Sequence, residues 1–126
     1  MRKFLLSILI ALMLLLPGCS GEADQVGQFS YSKYLEYYGI SENSDLFPDN
    51  TQPVESAQEA RRTALEVWTI MYGPAVLFQQ PYEVSYDNVA GVWFVTGTLS
   101  TNTEGGVAVI LIEASTGKIL DCWHGK

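Results

Sequence analysis

The sequence is poor in the side chains that most often carry catalysis or bind metal ions. Its 126 residues include one histidine, His124, and two cysteines, Cys19 and Cys122. This set does not supply the ligands of a recognisable zinc site, and the scattered carboxylates do not follow the spacing of a calcium loop. We therefore predict no metal, no cofactor and no catalytic residue, and classify the chain as non-enzymatic.

One pair of residues near the C-terminus has the composition of a nucleophile. Cys122 and His124 are two residues apart, so their side chains point to the same face if this segment is a strand. A thiol beside an imidazole is the start of a cysteine nucleophile, but no third residue that would orient the imidazole can be identified. The favoured interpretation is a small buried cysteine followed by a histidine at a strand end.

Basic residues are also scarce. Seven lysines and arginines stand against fourteen aspartates and glutamates, which gives a formal charge of −7. An acidic chain is unsuited to nucleic acid, because phosphates are bound by lysine and arginine. The same charge favours a protein partner with a basic surface, since charge complementarity speeds encounter.

No apolar run is long enough for a membrane-spanning helix, which needs roughly 20 residues. Residues 4–16 are almost entirely apolar and follow the basic pair Arg2 and Lys3. A basic start, a short apolar run and a small-residue exit are typical of a secretory signal. The exit, Leu-Pro-Gly-Cys at residues 16–19, resembles the lipobox of bacterial lipoproteins, in which the signal is cut before the cysteine.

This resemblance implies a lipoprotein of the bacterial cell envelope, anchored on the extracytoplasmic side of a membrane. Residues 1–18 would be the signal peptide, and the Cys19 sulfur would carry a diacylglycerol. Cleavage would remove Arg2 and Lys3, so the formal charge would fall from −7 to −9. Stable anchoring takes two acyl chains or a second signal, and a lipidated cysteine supplies two chains. Cys122 would then have no disulfide partner within the chain.

The mature chain is predicted to begin with a tether, residues 19–29, followed by a short helix and loop, residues 30–48. In the second segment four apolar residues recur at the spacing of one helical face, between a cap at Ser30 and a stop at Gly39. These residues are Tyr31, Tyr34, Leu35 and Tyr38.

Residues 49–126 carry the pattern of one α+β domain. Asn50 or Thr51 is expected to cap a long helix that has Pro53 in its first turn and ends at Gly73. One face of this helix is predicted to carry Ala57, Ala60, Ala64, Trp68 and Met71. Four segments of period two follow, separated by turns, as in an antiparallel meander. The order predicts a long helix packed on one face of a four-stranded sheet.

The two middle strands are apolar on both faces, whereas the long helix can cover only one. The second face must meet the tyrosine-rich helix, a second copy of the chain or another partner, because large bare apolar patches are unusual on monomers. We expect part of this face to be a bare surface for a protein partner or a homodimer. Its residues are Val92, Phe94, Val107 and Val109.

The strand half of the chain is similar to the immunity proteins with a nuclear-transport-factor-like fold, found in bacterial polymorphic toxin systems. The similarity is carried by "ALEVWTIMYG", "QPYEV", "VWFVTGTL", "GGVAVILIEASTGKIL" and the closing "HGK", in that order, and spans roughly residues 49–126. The matching positions are Trp68, Tyr72, Gly73, Pro81, Trp93, Gly97, Gly105, Gly106, Gly117, His124, Gly125 and Lys126.

The resemblance implies a cone-shaped α+β domain, of the cystatin-like type, with a curved antiparallel sheet packed on a helix. It also implies a protein that binds and neutralises a cognate toxin without catalysis. Most of the matching positions are interpreted as structural: core tryptophans, a helix stop and turn glycines. The final residues 124–126 match the C-terminal ending of the family, for which no role is known. Two alternatives stay open: a small-ligand-binding lipoprotein with a cavity behind Trp93 and Trp68, and a structural protein of the envelope.

Overall fold

The fold is a five-stranded sheet with one helix on each face. The computed structural model describes residues 25–42, 44–48, 52–99 and 105–126. Within them, no helix is both long and apolar enough to cross a membrane. The helices are Tyr31–Tyr38 (α1) and Ala57–Tyr72 (α2), with 3-10 helices at Ser44–Leu46 and Pro74–Gln79. The strands are Val26–Gln28 (β1), Glu83–Asp87 (β2), Val92–Thr96 (β3), Ala108–Glu113 (β4) and Ile119–His124 (β5).

The sheet contains the predicted meander and one strand more. Strands β2 to β5 are antiparallel neighbours in chain order, as the alternating segments predict. Strand β1 runs parallel to β2, with Val26 opposite Val84. The predictions of four strands and of a tether through residue 29 are therefore wrong. Three exposed residues, Val-Gly-Gln, show no apolar alternation, so nothing local indicates this strand.

The long helix begins later than predicted. Ser56 is the cap, and its Oγ accepts a hydrogen bond from Glu59 N at 3.1 Å, while Asn50 and Thr51 lie outside the described residues. The preceding segment is bound to the sheet: Val54 N donates to Ala114 O at 2.8 Å, and Val54 O accepts from Trp93 Nε1 at 2.8 Å. Because these backbone groups are used by the sheet, residues 53–55 cannot form a helical turn.

Helix α2 and the inner face of the sheet enclose the main core. Ala60, Ala64 and Trp68 have no exposed surface, so the alanine side of the helix lies directly on the strands. Trp68 packs edge to face on Tyr82, with ring centroids 5.0 Å apart. Alternate residues of β2, β3 and β4 face this core, and a register shift between β4 and β5 lets Ile119 and Cys122, three residues apart, face it as well. The core residues of the strands are Val84, Trp93, Val95, Ala108, Ile110, Ile112, Ile119 and Cys122.

Helix α1 covers the outer face of the sheet. It is the tyrosine-rich helix, one of the three occupants expected there beside a second copy of the chain and another partner. Its Tyr34 is 6% exposed and lies in a second core cluster with Val92, Val109 and Leu111. Ser30 caps the helix, and Gly39, with φ 77°, ends it, both as predicted.

The prediction of a bare partner face is wrong for two of its four residues. Val92 and Val109 are 2% and 3% exposed, because α1 lies over them. Phe94 is half-buried and stacks on Phe29 at a centroid distance of 4.6 Å, while Val107 is also half-buried. The most exposed apolar side chains on this side, Tyr37, Tyr38 and Ile40, therefore lie on or directly after α1, and the sheet adds partly exposed residues such as Trp123.

Polar bonds fix α1 to the sheet in addition to the apolar contacts. Tyr34 Oη donates to Asp121 Oδ2 at 2.5 Å and accepts from Trp123 Nε1 at 2.9 Å. At the start of the helix, Tyr31 N donates to Asp87 Oδ2 at 2.8 Å. Asp87 also accepts hydrogen bonds from the backbone N–H groups of Val89 and Ala90. Together with the bond from Tyr31 N, these bonds hold the pKa of its carboxyl below the ordinary value.

Candidate functional site

Strand β5 presents Cys122 and His124 to the inner face, as their spacing predicts. Cys122 Sγ lies 3.8 Å from Tyr72 Oη, and the ring centroids of His124 and Tyr72 are 5.4 Å apart. Burial raises the pKa of the Cys122 thiol to about 11, so the thiol is protonated at neutral pH. The nucleophilic form of cysteine is the thiolate, and Cys122 is not in that form at neutral pH. Its role in the folded protein is therefore packing.

The His124 ring links the Gln79 side chain to the backbone at the end of β5, a place we call the sheet corner. Its Nε2 lies 2.9 Å from Gln79 Nε2, its Nδ1 lies 2.7 Å from Gly125 O, and Gln79 Oε1 accepts from Ala108 N at 2.8 Å. The Gln79 amide nitrogen can only donate, so His124 Nε2 accepts. In this arrangement Nδ1 donates to Gly125 O.

Glycines at the same corner permit a close approach of backbone segments. A Cβ at Gly97 would overlap the Gln79 side chain, and a Cβ at Gly106 would overlap the backbone of Gly125. Gly125 N donates to Val107 O at 3.0 Å and so ties the two segments together. These family-matching glycines are therefore explained by packing.

A shallow groove of about 350 Å³ lies beside this corner. It brings together five of the family-matching residues, namely Gly105, Gly106, His124, Gly125 and Lys126. Its apolar wall includes Phe78, which is 87% exposed, and Leu99, which is 40% exposed. Sequence reasoning missed Phe78, which lies in the 3-10 helix Pro74–Gln79, where no periodicity marks a surface residue.

The remaining matched positions lie in the core or at chain reversals. Trp68 and Trp93 belong to the inner core, and an open pocket of about 590 Å³ lies on the Trp93 side, lined also by Val54 and Tyr86. Gly73 and Gly117 have positive φ, 82° and 77°, where they end α2 and close the turn between β4 and β5. Pro81 follows the 3-10 helix, in a cis peptide.

The exposed side of α1 forms a second candidate surface. Tyr37, Tyr38 and Ile40 are 81%, 54% and 81% exposed. The rings of Tyr37 and Tyr38 are 4.6 Å apart, and Tyr38 lies 5.6 Å from the ring of Trp123. We call Tyr37, Tyr38, Ile40 and Trp123 the tyrosine surface. A signal for it was present in the sequence, since Tyr37 and Ile40 lie off the stripe that α1 buries.

Acidic side chains accompany the tyrosine surface. Residues 31–48 contain three carboxylates and one cation: Glu36, Glu42, Asp45 and Lys33, all exposed. Burial and then the charges of Asp121 and Glu113 raise the pKa of Tyr31, so both carboxylates act on this layer. The acids stay dispersed, since no group of three or more histidine, cysteine or acidic residues in the described ranges could hold a metal ion.

The comparison with known families identifies the inner part of the molecule. A family model described as NTF2 fold immunity protein matches residues 59–126, from the first turn of α2 to the end of the chain. Strand β1 and helix α1 precede the match. Comparison with curated proteins and with solved structures gave no match. Because the family model covers more than half of the 126 residues, the chain belongs to the NTF2 fold immunity proteins.

Proposed function

We propose that this chain binds a cognate protein toxin and neutralises it by covering part of the toxin's surface. The observation that carries the proposal is the family match over α2 and strands β2–β5. The formal charge of −7 and the exposed aromatic residues of α1 support a partner with a basic surface.

The chemistry of the inner face supports neutralisation by binding instead of by modification of the toxin. The Cys122 thiol is buried and protonated at neutral pH. Both nitrogens of the neighbouring His124 ring lie at hydrogen-bond distance from Gln79 and Gly125. The two residues that most resemble reactive groups are thus engaged in packing the sheet corner.

A lipid anchor at Cys19 is part of the proposal and is supported by the lipobox-like residues 16–19. Strand β1 begins at Val26, seven residues after Cys19. Seven residues reach at most about 25 Å, so an anchored domain would stay close to the membrane surface. A toxin arriving at or crossing that membrane would meet the domain there.

A contact competition tests the proposed function in the source bacterium. The gene and the candidate toxin gene beside it are deleted separately and together, and each strain is mixed with its parent. We expect the strain lacking only this gene to be killed by siblings that carry the toxin, and a copy of this gene to restore survival. The strain lacking both genes, mixed with toxin-free siblings, is the control.

Equal survival of the deletion strain, with the toxin shown to be expressed and delivered, would contradict the proposal. A Cys19→Ala copy tests the anchor in the same assay. If anchoring places the domain where the toxin arrives, this copy should protect less than the wild type at equal protein abundance. Full protection by Cys19→Ala would remove the anchor from the proposal and leave toxin binding in place.

A further inference from the structure

Helix α1 carries more aromatic surface than its packing on the sheet uses. Tyr34 makes the contact with the outer core and is 6% exposed, whereas Tyr37 is 81% exposed on the same helix. Ile40, directly after the helix, is also 81% exposed. Tyrosine and tryptophan are enriched among the residues that dominate binding energy at protein interfaces. This exposed set is therefore suited to a protein partner.

The exposed rings are held in place before any partner binds. Tyr38 lies 4.6 Å from the Tyr34 ring and 5.6 Å from the Trp123 ring. Tyr34 is in turn fixed by its hydrogen bonds with Asp121 and Trp123. A surface whose side chains are already ordered loses less conformational entropy on binding, which favours affinity.

The charges beside these rings select the chemistry of the partner. Glu36 is next to Tyr37 in α1, and Glu42 follows Ile40 by two residues; both carboxylates are exposed. Lysine and arginine side chains can pair with the carboxylates and stack over the tyrosine rings. A second copy of the chain would bring like charges together, and anionic lipid would be repelled.

The position of α1 in the chain separates it from the shared domain. The family match begins at residue 59, whereas α1 ends at Tyr38. We propose that the tyrosine surface (Tyr37, Tyr38, Ile40 and Trp123) binds a lysine- and arginine-rich face of the toxin and determines which toxin the chain recognises. This inference rests on the proposed function, because it assigns the surface for the same partner.

A binding titration with the toxin identified by contact competition tests the inference. The full extracytoplasmic chain, residues 20–126, is titrated with the purified toxin. The Tyr37→Ser/Ile40→Ser variant removes two exposed side chains of the tyrosine surface, and we expect it to weaken toxin binding about 100-fold. The matched control is Ile70→Ser/Phe78→Ser, whose side chains are 71% and 87% exposed away from α1. The control should bind within about threefold of the wild type.

Two charge-reversal variants supply a second readout, the rate of toxin association, that does not depend on removing an apolar side chain. Glu36→Lys should slow toxin association about tenfold at low salt, because it opposes a basic face, and the difference should shrink as salt rises. Glu66→Lys on α2, also exposed, makes the same charge change elsewhere and should have a smaller effect.

The possible outcomes separate the inference from the proposed function. If the wild type binds no toxin, the proposed function fails and the inference fails with it. If the wild type binds and protects but Tyr37→Ser/Ile40→Ser binds equally well, the inference is overturned and the proposed function stands. Loss of binding in Ile70→Ser/Phe78→Ser alone would place the interface at the groove and also overturn it. A wild-type dimer that Tyr37→Ser/Ile40→Ser converts to monomer, with toxin affinity unchanged, would show a second copy as the occupant.

Discussion

The two faces of the sheet are covered by helices that differ in composition and in the way they are held. Helix α2 lies on the inner face through alanines and Trp68, with no exposed surface at three of these positions. Helix α1 lies on the outer face through tyrosines, and hydrogen bonds to Asp121 and Asp87 fix it there. The inner layer is inside the family match, and the outer layer precedes it.

This difference indicates a division of roles between the two layers. Small and fully buried residues on α2 bring the helix close to the strands, and its exposed side is mostly polar, with Ile70 as the exposed large apolar residue. Tyrosines on α1 combine a ring that packs with a hydroxyl that can stay hydrated or hydrogen-bonded, so a single helix can cover the sheet and present an interface. We therefore expect mutations in the two layers to have different consequences.

The largest expected effect is the loss of the inner tryptophan. Trp68→Ala removes a side chain with no exposed surface from the main core, and should lower the free energy of unfolding by about 3–5 kcal/mol. Urea denaturation followed by circular dichroism measures it. Ile70→Ala, on the same helix and 71% exposed, should stay within about 0.5 kcal/mol of the wild type. Equal losses in both variants would contradict the assignment of α2 as the core helix.

A smaller effect is expected at the polar anchor of the outer layer. Tyr34→Phe keeps the ring but leaves Trp123 Nε1 without its acceptor and removes the Tyr34 donor from Asp121 Oδ2, which should cost about 1–2 kcal/mol. Relative to the wild type, amide hydrogen exchange in this variant should become faster in α1 and stay nearly unchanged in α2. Tyr37→Phe, which alters an exposed hydroxyl, is the control and should change neither quantity. Unchanged exchange in α1 of Tyr34→Phe would show that apolar contacts alone hold the helix.

The serine caps offer a comparison of the two helices by the same substitution. Ser56→Ala should destabilise the protein by about 1 kcal/mol, since Ser56 Oγ accepts a 3.1 Å hydrogen bond at the start of the core helix. Ser30→Ala should cost less, because the corresponding bond is 3.4 Å long and α1 begins with a second bond to Asp87. Thermal melts of both variants measure the difference. A larger loss in Ser30→Ala would reverse the ranking of the two layers.

The smallest expected effect is a pH dependence at the start of α1. Hydrogen bonds from backbone N–H groups lower the folded-state pKa of Asp87. The ionised Asp87 carboxylate therefore stabilises the fold at pH values above the ordinary aspartate pKa of about 3.9. The contribution is lost as the pH falls through the lowered folded-state pKa. Asp87→Asn removes this charge, so the stability difference between wild type and variant should shrink below about pH 4. A difference that stays constant from pH 7 to pH 3 would contradict this account.

Much of the fold could be predicted from the sequence because its patterns are local. Alternating apolar residues identified β2 to β5, and Ser30 and Gly39 bounded α1 correctly. The start of α2 was placed too early because Pro53 suits a first helical turn, whereas the backbone of Val54 is bonded to the sheet. Only a contact distant in sequence distinguishes these two outcomes.

The candidate site was less predictable than the fold. Apolar residues on both faces of β3 and β4 correctly required a second covering layer, but the pattern could not decide which occupant covers Val92 and Val109. Once α1 occupies that face, the exposed residues are those on the far side of α1. Strand β1 was missed because its pairing with β2 is parallel and its three residues carry no alternation.

The central claim is that the inner layer makes the fold and the outer layer meets the toxin. Hydrogen exchange of the chain with and without bound toxin tests it most directly, because every amide reports its own protection. The account predicts slower exchange on toxin binding in residues 31–40 and around Trp123, with α2 unchanged. Protection confined to residues 75–79, 98–99 and 124–126, the groove side of the molecule, would contradict it.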